Sequence, residues 1–175
     1  MSDLGLRRNT VRIVDHRPEW TATFHIEASE ILRCIGDIVV DVQHVGSTAV
    51  ADVPAKPILD IAVATRTHGA IPTVVERLRR LGYIDRGDAG SEGGYLLVKE
   101  SEPDVRTIHL HIVEVADNQW LNYLKFRDTL RRDPDIRRRY AELKQSLADQ
   151  CRGERKAYTA GKAALIREIL GCAHE

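Results

Sequence analysis

The chain is predicted to be an α+β protein: a mixed β-sheet flanked by helices, followed by an α-helical C-terminal region. Three observations predict it. Runs rich in β-branched residues alternate with helical periodicities up to about residue 116. One run, Ile58 to Ala64, is apolar on both faces except at Asp60, the pattern of a central strand in a covered sheet. Beyond Asp117 every periodic stretch is helical.

Thr10 to Val14 is a short β-type run. His16-Arg17-Pro18-Glu19 forms a turn, with Pro18 at a helix start. From Trp20 to Cys34 the residues Trp20, Phe24, Ala28, Ile31 and Leu32 recur at helical spacing. Ile38 to Val45 is a strand that stops at Gly46-Ser47. Thr48 to Ala51 has room for one helical turn, and Pro54 and Pro57 then force extended backbone. The strand Ile58 to Ala64 follows. Pro72 to Leu81 is a helix stopped by Gly82. Tyr83-Ile84 begins a short strand, and the glycine-rich run Gly87 to Gly94 is a hairpin tip. Tyr95 to Lys99 and Arg106 to Val115 are further strands. Asp117 caps a helix holding Trp120, Leu121, Leu124 and Leu130. Asp133-Pro134 opens another, with Ile136, Tyr140, Leu143 and Leu147 as its stripe, and Tyr158 to Leu170 is the last. No linker separates these stretches. The expectation is one domain over 1–175, with a sheet part over about 10–116 and a helical part over about 117–175.

Composition excludes some functions. Of 175 residues, 43% are hydrophobic, enough for a core. Lys plus Arg and Asp plus Glu number 26 each, so bulk charge gives no ground for a nucleic-acid or anionic-membrane partner. The three cysteines, Cys34, Cys151 and Cys172, lie far apart without a CxxC, which argues against a disulfide framework or structural zinc. They read as reduced, mostly buried thiols. The start, MSDLGLRRNTVRIVDHRPEW, has no apolar run of signal-peptide length, and no stretch reaches the roughly eighteen apolar residues of a membrane span. A cytoplasmic protein is expected.

The chemistry concentrates in two places. In QHVGSTAVADVPAKPILDIAV, a carboxylate, Asp60, sits among Ile58, Leu59, Ile61 and Val63. Burying it costs free energy unless something binds it. Gly46 lets a phosphate approach the backbone, Ser47 offers a hydroxyl, and Lys56 offers a cation for a phosphate or carboxylate. Asp60 would hold a divalent metal bridging those phosphates. Singly, each has a plain structural role: turn, N-cap, buried anchor and solvated loop cation. In the second stretch, the alternation of TIHLHIVE from Thr107 to Glu114 puts His109 and His111 on one strand face, where two imidazoles at i and i+2 can ligate one metal or polarise one substrate. Glu114 falls on the opposite face. The arginines of the C-terminal helices read mostly as solvated, although Arg127 and Lys162 are candidates to reach a triphosphate across the cleft.

These residues resemble the GrpB family. The blocks are His44-Val45-Gly46-Ser47-Thr48-Ala49-Val50, Ala55-Lys56-Pro57-Ile58-Leu59-Asp60-Ile61 and His109-Leu110-His111-Ile112-Val113. Trp120 with Leu124 to Arg131, Arg17-Pro18-Glu19-Trp20 with Phe24 and Glu27, and Tyr158-Thr159 with Lys162 extend the likeness over nearly the whole chain. The resemblance implies a nucleotidyltransferase-like fold, built like DNA polymerase β and the aminoglycoside nucleotidyltransferases. It also implies a link to dephospho-CoA kinase, behind which members are found fused. Carried over, Gly46 and Ser47 hold nucleotide phosphates and Asp60 is the first metal carboxylate. The superfamily's second carboxylate is replaced here by Ala62. A later strand offers His109 and His111 where a third is expected. That set is softer than an all-oxygen magnesium site and suits manganese, zinc or iron.

Three readings follow. The first is metal-dependent transfer of a nucleotidyl group from a nucleoside triphosphate to a small molecule, with His109 or His111 available as a base. The second is a module that binds a nucleotide or anionic metabolite without turnover. The third is an accessory domain related to dephospho-CoA kinase or protein folding.

Overall fold

The computed structural model describes residues 4–89, 94–151 and 153–171. Among them the strands are β1 (Leu6–Arg7), β2 (Val39–Val45), β3 (Leu59–Thr65), β4 (Ile84–Asp88), β5 (Tyr95–Glu102) and β6 (Val105–Glu114). The helices are α1 (Glu19–Ile35), α2 (Ile71–Arg79), α3 (Asn118–Arg132), α4 (Pro134–Gln150) and α5 (Arg155–Leu170). The strands make one mixed sheet in the order β2-β3-β6-β5-β4, with β1 paired to β6. Only β3 and β6 run parallel; the other pairs are antiparallel. The predicted α+β class is the observed one.

Two local expectations change. Thr10 to Val14 forms no strand beyond a single bridge, Val14 to Ala55, because its partner lies between prolines that cannot continue a ladder. The strand near the N-terminus is instead Leu6–Arg7, held by Gly5 N–H donating to Pro57 O at 2.8 Å and by pairing of Leu6 with Arg106. The glycine-rich tip falls partly on residues 90–93, outside the described residues, as does Cys172; Cys34 and Cys151 are free and half-buried.

The sheet is covered on both faces. On one, α1 buries Trp20, Phe24, Ala28, Ile31 and Ile35, and α2 buries Val74, Val75 and Leu78, against Leu59, Ile61, Val63, Ile108, Leu110 and Ile112. Even Glu27 of α1 is partnered there, by Tyr83 at 2.8 Å and Lys99 at 2.7 Å. On the other face Trp120 of α3 packs on Val45, Ala62, Ala64 and Val113. Behind it α3, α4 and α5 share a cluster of Leu130, Tyr140, Leu165 and Ile169. Val50 and Val53, from the β2–β3 connection, join that cluster, so the connection is clamped between sheet and helices. Arg131 strengthens the clamp with two hydrogen bonds to Ala49 O, at 3.0 and 2.8 Å. Asp133 caps α4 by accepting from the Asp135 and Ile136 amides. Asp117 sits at the N-cap of α3, but its side chain makes no capping bond and lies 3.3 Å from His68. No helix among the described residues is long and apolar enough to cross a membrane.

Candidate metal and phosphate site

Register builds the site. Asp60 lies opposite Val45 of β2 and His109 of β6, and Ala62 lies opposite His111. Side chains alternate along a strand, so Asp60, Ala62, His109 and His111 share the face that α3 covers. His109 Nδ1 is 3.3 Å from Asp60 Oδ1, and His111 Nε2 is 3.7 Å from the same oxygen. One ligand atom from each of the three lies within 4.8 Å of the others. Ligands about 2.0–2.2 Å from a tetrahedral metal lie roughly 3.4 Å apart, so the spacing fits a single ion. Burial alone would raise the Asp60 pKa, but hydrogen bonds and charge from His109 and His111 outweigh it and hold the carboxyl low. Burial lowers the His109 pKa, against the opposing pull of Asp60. An ionised carboxylate beside two imidazoles is the protonation state a cation needs.

Gly46 is fixed by the same carboxylate. Its φ is +67°, and a Cβ there would stand 2.6 Å from Asp60 Oδ2. No side chain fits the conformation or the space. Ser47 opens a three-residue 3-10 turn, Ser47–Ala49, and its side chain lies beside the Tyr140 hydroxyl. The turn begins and ends earlier than the expected Thr48 to Ala51.

Three lysines complete a small cleft of about 80 Å³ shared with Ser47, Asp60, His109 and Tyr158. Lys56 and Lys162 stand over the Tyr158 ring, 4.3 and 4.8 Å from its centre. Lys144 is buried and donates to Pro54 O. Burial first, then Lys162 and Arg155, pulls the Lys56 pKa down to about 8. Lys144 and Lys162 are lowered by burial as well. Burial thus disfavours the charged form of all three lysines, and an anion bound among them would favour it.

The structure thus brings together Gly46, Ser47, Lys56, Asp60, His109, His111 and Lys162. It does not bring Arg127. That guanidinium donates to Asp128 at 2.7 Å, Gln43 Oε1 at 2.7 Å and His44 O at 3.1 Å, tying α3 to β2. Sequence reasoning missed Lys144, although its place four residues after Tyr140 and three before Leu147 puts it on the apolar stripe, and the contact of Tyr140, read as core, with Ser47. Glu114 lies off the cluster, accepting from the His68 amide at 2.9 Å.

Fold and site together define an α+β protein in which a carboxylate with two imidazoles beside it borders a cleft lined by three lysines. The family model described as GrpB protein matches residues 10–171, and the chain belongs to the GrpB family. It is 32% identical to the glutamate-rich protein GrpB of Alkalihalophilus pseudofirmus, over 95% of this chain and 98% of that one. A crystal structure of GrpB from Enterococcus faecalis is similar at a TM-score of 0.81 and 31% identity, covering 90% of this chain and 94% of that chain. A dephospho-CoA kinase of Mycolicibacterium paratuberculosis is 28% identical over 96% of this chain, which spans 47% of that protein.

Proposed function

We propose that the cleft takes a divalent metal on Asp60, His109 and His111 and a phosphate-bearing ligand on Lys56, Lys144 and Lys162, and that the chain transfers a nucleotidyl group to a small molecule. The observation that carries this is that a metal-ligand trio, Asp60, His109 and His111, shares two members, Asp60 and His109, with a cleft lined by three lysines. A metal there would supply charge stabilisation to a phosphoryl oxygen. The lysines neutralise the remaining phosphate charge, and Gly46 leaves the backbone beside Asp60 open. Imidazoles favour manganese, zinc or iron; magnesium would be held mainly through Asp60 and phosphate oxygens.

A second reading, binding without turnover, is favoured by Ala62. It lies opposite His111, fully buried against Val45, Ala64, Val113 and Trp120, where the resembled superfamily has a carboxylate. The relative named dephospho-CoA kinase supports including CoA-type ligands and an accessory role in the test.

A ligand that binds only the folded state raises its stability. The test is thermal shift with ATP, GTP, CTP, UTP and dephospho-CoA, each with magnesium, manganese or zinc, together with assay of pyrophosphate release. A metal-dependent nucleotide shift, lost in Asp60→Ala and accompanied by pyrophosphate, supports transfer. The same shift without pyrophosphate, across a panel of small acceptors, supports the binding reading. No shift with any nucleotide contradicts transfer and nucleotide binding alike, and leaves the second reading only an anionic metabolite.

A further inference from the structure

A second hollow lies beside the cleft, and Lys56 and His109 line both. Its other walls are the turn after β1, Arg106 of β6 and Arg155 at the first position of α5. The turn is set rigidly: Arg8 N–H donates to Asp104 O at 2.7 Å, and Thr10 donates to Arg7 O through both its amide and its hydroxyl. Arg8 therefore sits at a fixed rim.

Arg106 is 6% exposed, and its Nε has no hydrogen-bond partner. The nearest carboxylate oxygen, Glu100 Oε1, is 3.9 Å away and already serves Arg86 at 3.0 Å. The His109 Nε2, the ring nitrogen turned away from the Asp60 contact, is buried and unpartnered too. A metal on Nδ1 would leave the proton on Nε2, making it a donor. Among the described residues no carboxylate lies within ion-pair distance of Arg8, Lys56 or Arg155. Burial, then the charges of Arg155, Arg86 and Arg8, lowers the Arg106 pKa, and Glu100 opposes that only in part. A buried guanidinium with an unused N–H, ringed by like charges, is costly unless an anion completes it. The hollow holds about 40 Å³. A single water needs about 10–15 Å³ on the same measure, so a tetrahedral or planar oxyanion fits and a nucleoside does not.

We propose that this hollow is a second, oxyanion-binding subsite, formed by Arg106, Arg155, Lys56 and His109, that takes a phosphoryl or carboxylate group of the acceptor molecule. Its position follows from the register. His109 presents one ring nitrogen to Asp60 and the other away from it, so an anion held here stands one imidazole from the metal position. Lys56 lines both sites, so it can neutralise charge shared between two ligands. Assignment of the group to an acceptor rests on the transfer reading above; the anion site itself does not.

The test is NMR of the arginine Nε–H groups in protein without added metal, titrated separately with inorganic phosphate and with acetate. The Arg106 signal is expected to move saturably. Its midpoint is expected to rise at least about tenfold in Arg155→Glu, the loss of a charge-assisted contact. Glutamate at the first turn of α5 is favourable to the helix, so this variant folds. In Lys144→Met and Asp60→Ala the response is expected to persist, which separates the hollow from the cleft and from the metal. A response to phosphate alone assigns a phosphoryl group, and one to acetate alone a carboxylate; either supports the subsite. An Arg106 signal unmoved by both anions, or one with the same midpoint in Arg155→Glu, overturns it, whatever the outcome of the nucleotide experiments.

Discussion

The two faces of the central strand pair have opposite characters, although the same two stretches of sequence build both. Toward α1 and α2, Leu59, Ile61 and Val63 of β3 meet Ile108, Leu110 and Ile112 of β6 in a dry apolar layer. Toward α3, the intervening positions carry Asp60, Ala62 and Ala64 on β3 and His109, His111 and Val113 on β6. A period of two is enough to separate stability from chemistry. The apolar face fixes the register, and the register places Asp60 opposite His109. The contrast extends to histidine. His44, on the α1 side, stacks on Phe24 at 4.8 Å and pairs with Thr48 at 2.9 Å. It is a packed core residue, whereas His109 and His111 face a carboxylate.

The comparison can be broken hardest on its apolar side. Leu110 is fully buried, and Leu110→Ala is expected to cost about 2–5 kcal/mol in urea unfolding. The folded fraction should still bind metal, because none of the three ligand residues is changed.

His44 gives the next effect. Burial lowers its pKa from 6.5 to about 4, so the folded state binds fewer protons there than the unfolded chain. Its contribution is complete above pH 6.5 and is lost as pH falls toward 4. At about 1.36 kcal/mol for each tenfold change in proton affinity, the loss is roughly 3 kcal/mol. Urea midpoints measured between pH 7 and 4 should fall less steeply in His44→Gln.

Gly46→Ala tests whether the functional face carries strain. Positive φ and a Cβ pressed on Asp60 together are expected to cost about 1–3 kcal/mol and to weaken metal binding at the same time. Metal affinity equal to wild type would show that Asp60 is not held by its neighbour.

The smallest effect on stability is expected at Lys144. Lys144→Met removes the desolvation cost of a buried amine but leaves Pro54 O without its donor, so the melting temperature should change little. The same variant should lose about tenfold in nucleotide affinity. An unchanged affinity would make Lys144 a clamp on Pro54 and nothing more.

What the sequence revealed follows the same division. Long periodic segments such as α1, β3 and α4 were legible because each buries a continuous face. Asp60 was conspicuous because a carboxylate interrupts an apolar run, and His109 with His111 because they alternate. Leu6–Arg7 was invisible: two residues carry no period, and only their pairing with β6 makes them a strand. Lys144 was hidden for a related reason. Its position, four residues after Tyr140 and three before Leu147, lies on the apolar stripe of α4, but its charge argues for solvent, and only docking on the β2–β3 connection buries it. Arg127 shows the converse. A basic residue near a cleft in sequence terms is engaged by Gln43 and the His44 carbonyl.

The most direct measurement is a zinc titration followed by NMR of the histidine ring nitrogens, in wild type and Asp60→Ala. The account predicts that His109 Nδ1 and His111 Nε2 shift together and saturate at one ion per chain, that His44 stays put, and that the variant loses the response. Rings of His109 and His111 that stay unshifted, or that shift identically without Asp60, would contradict it.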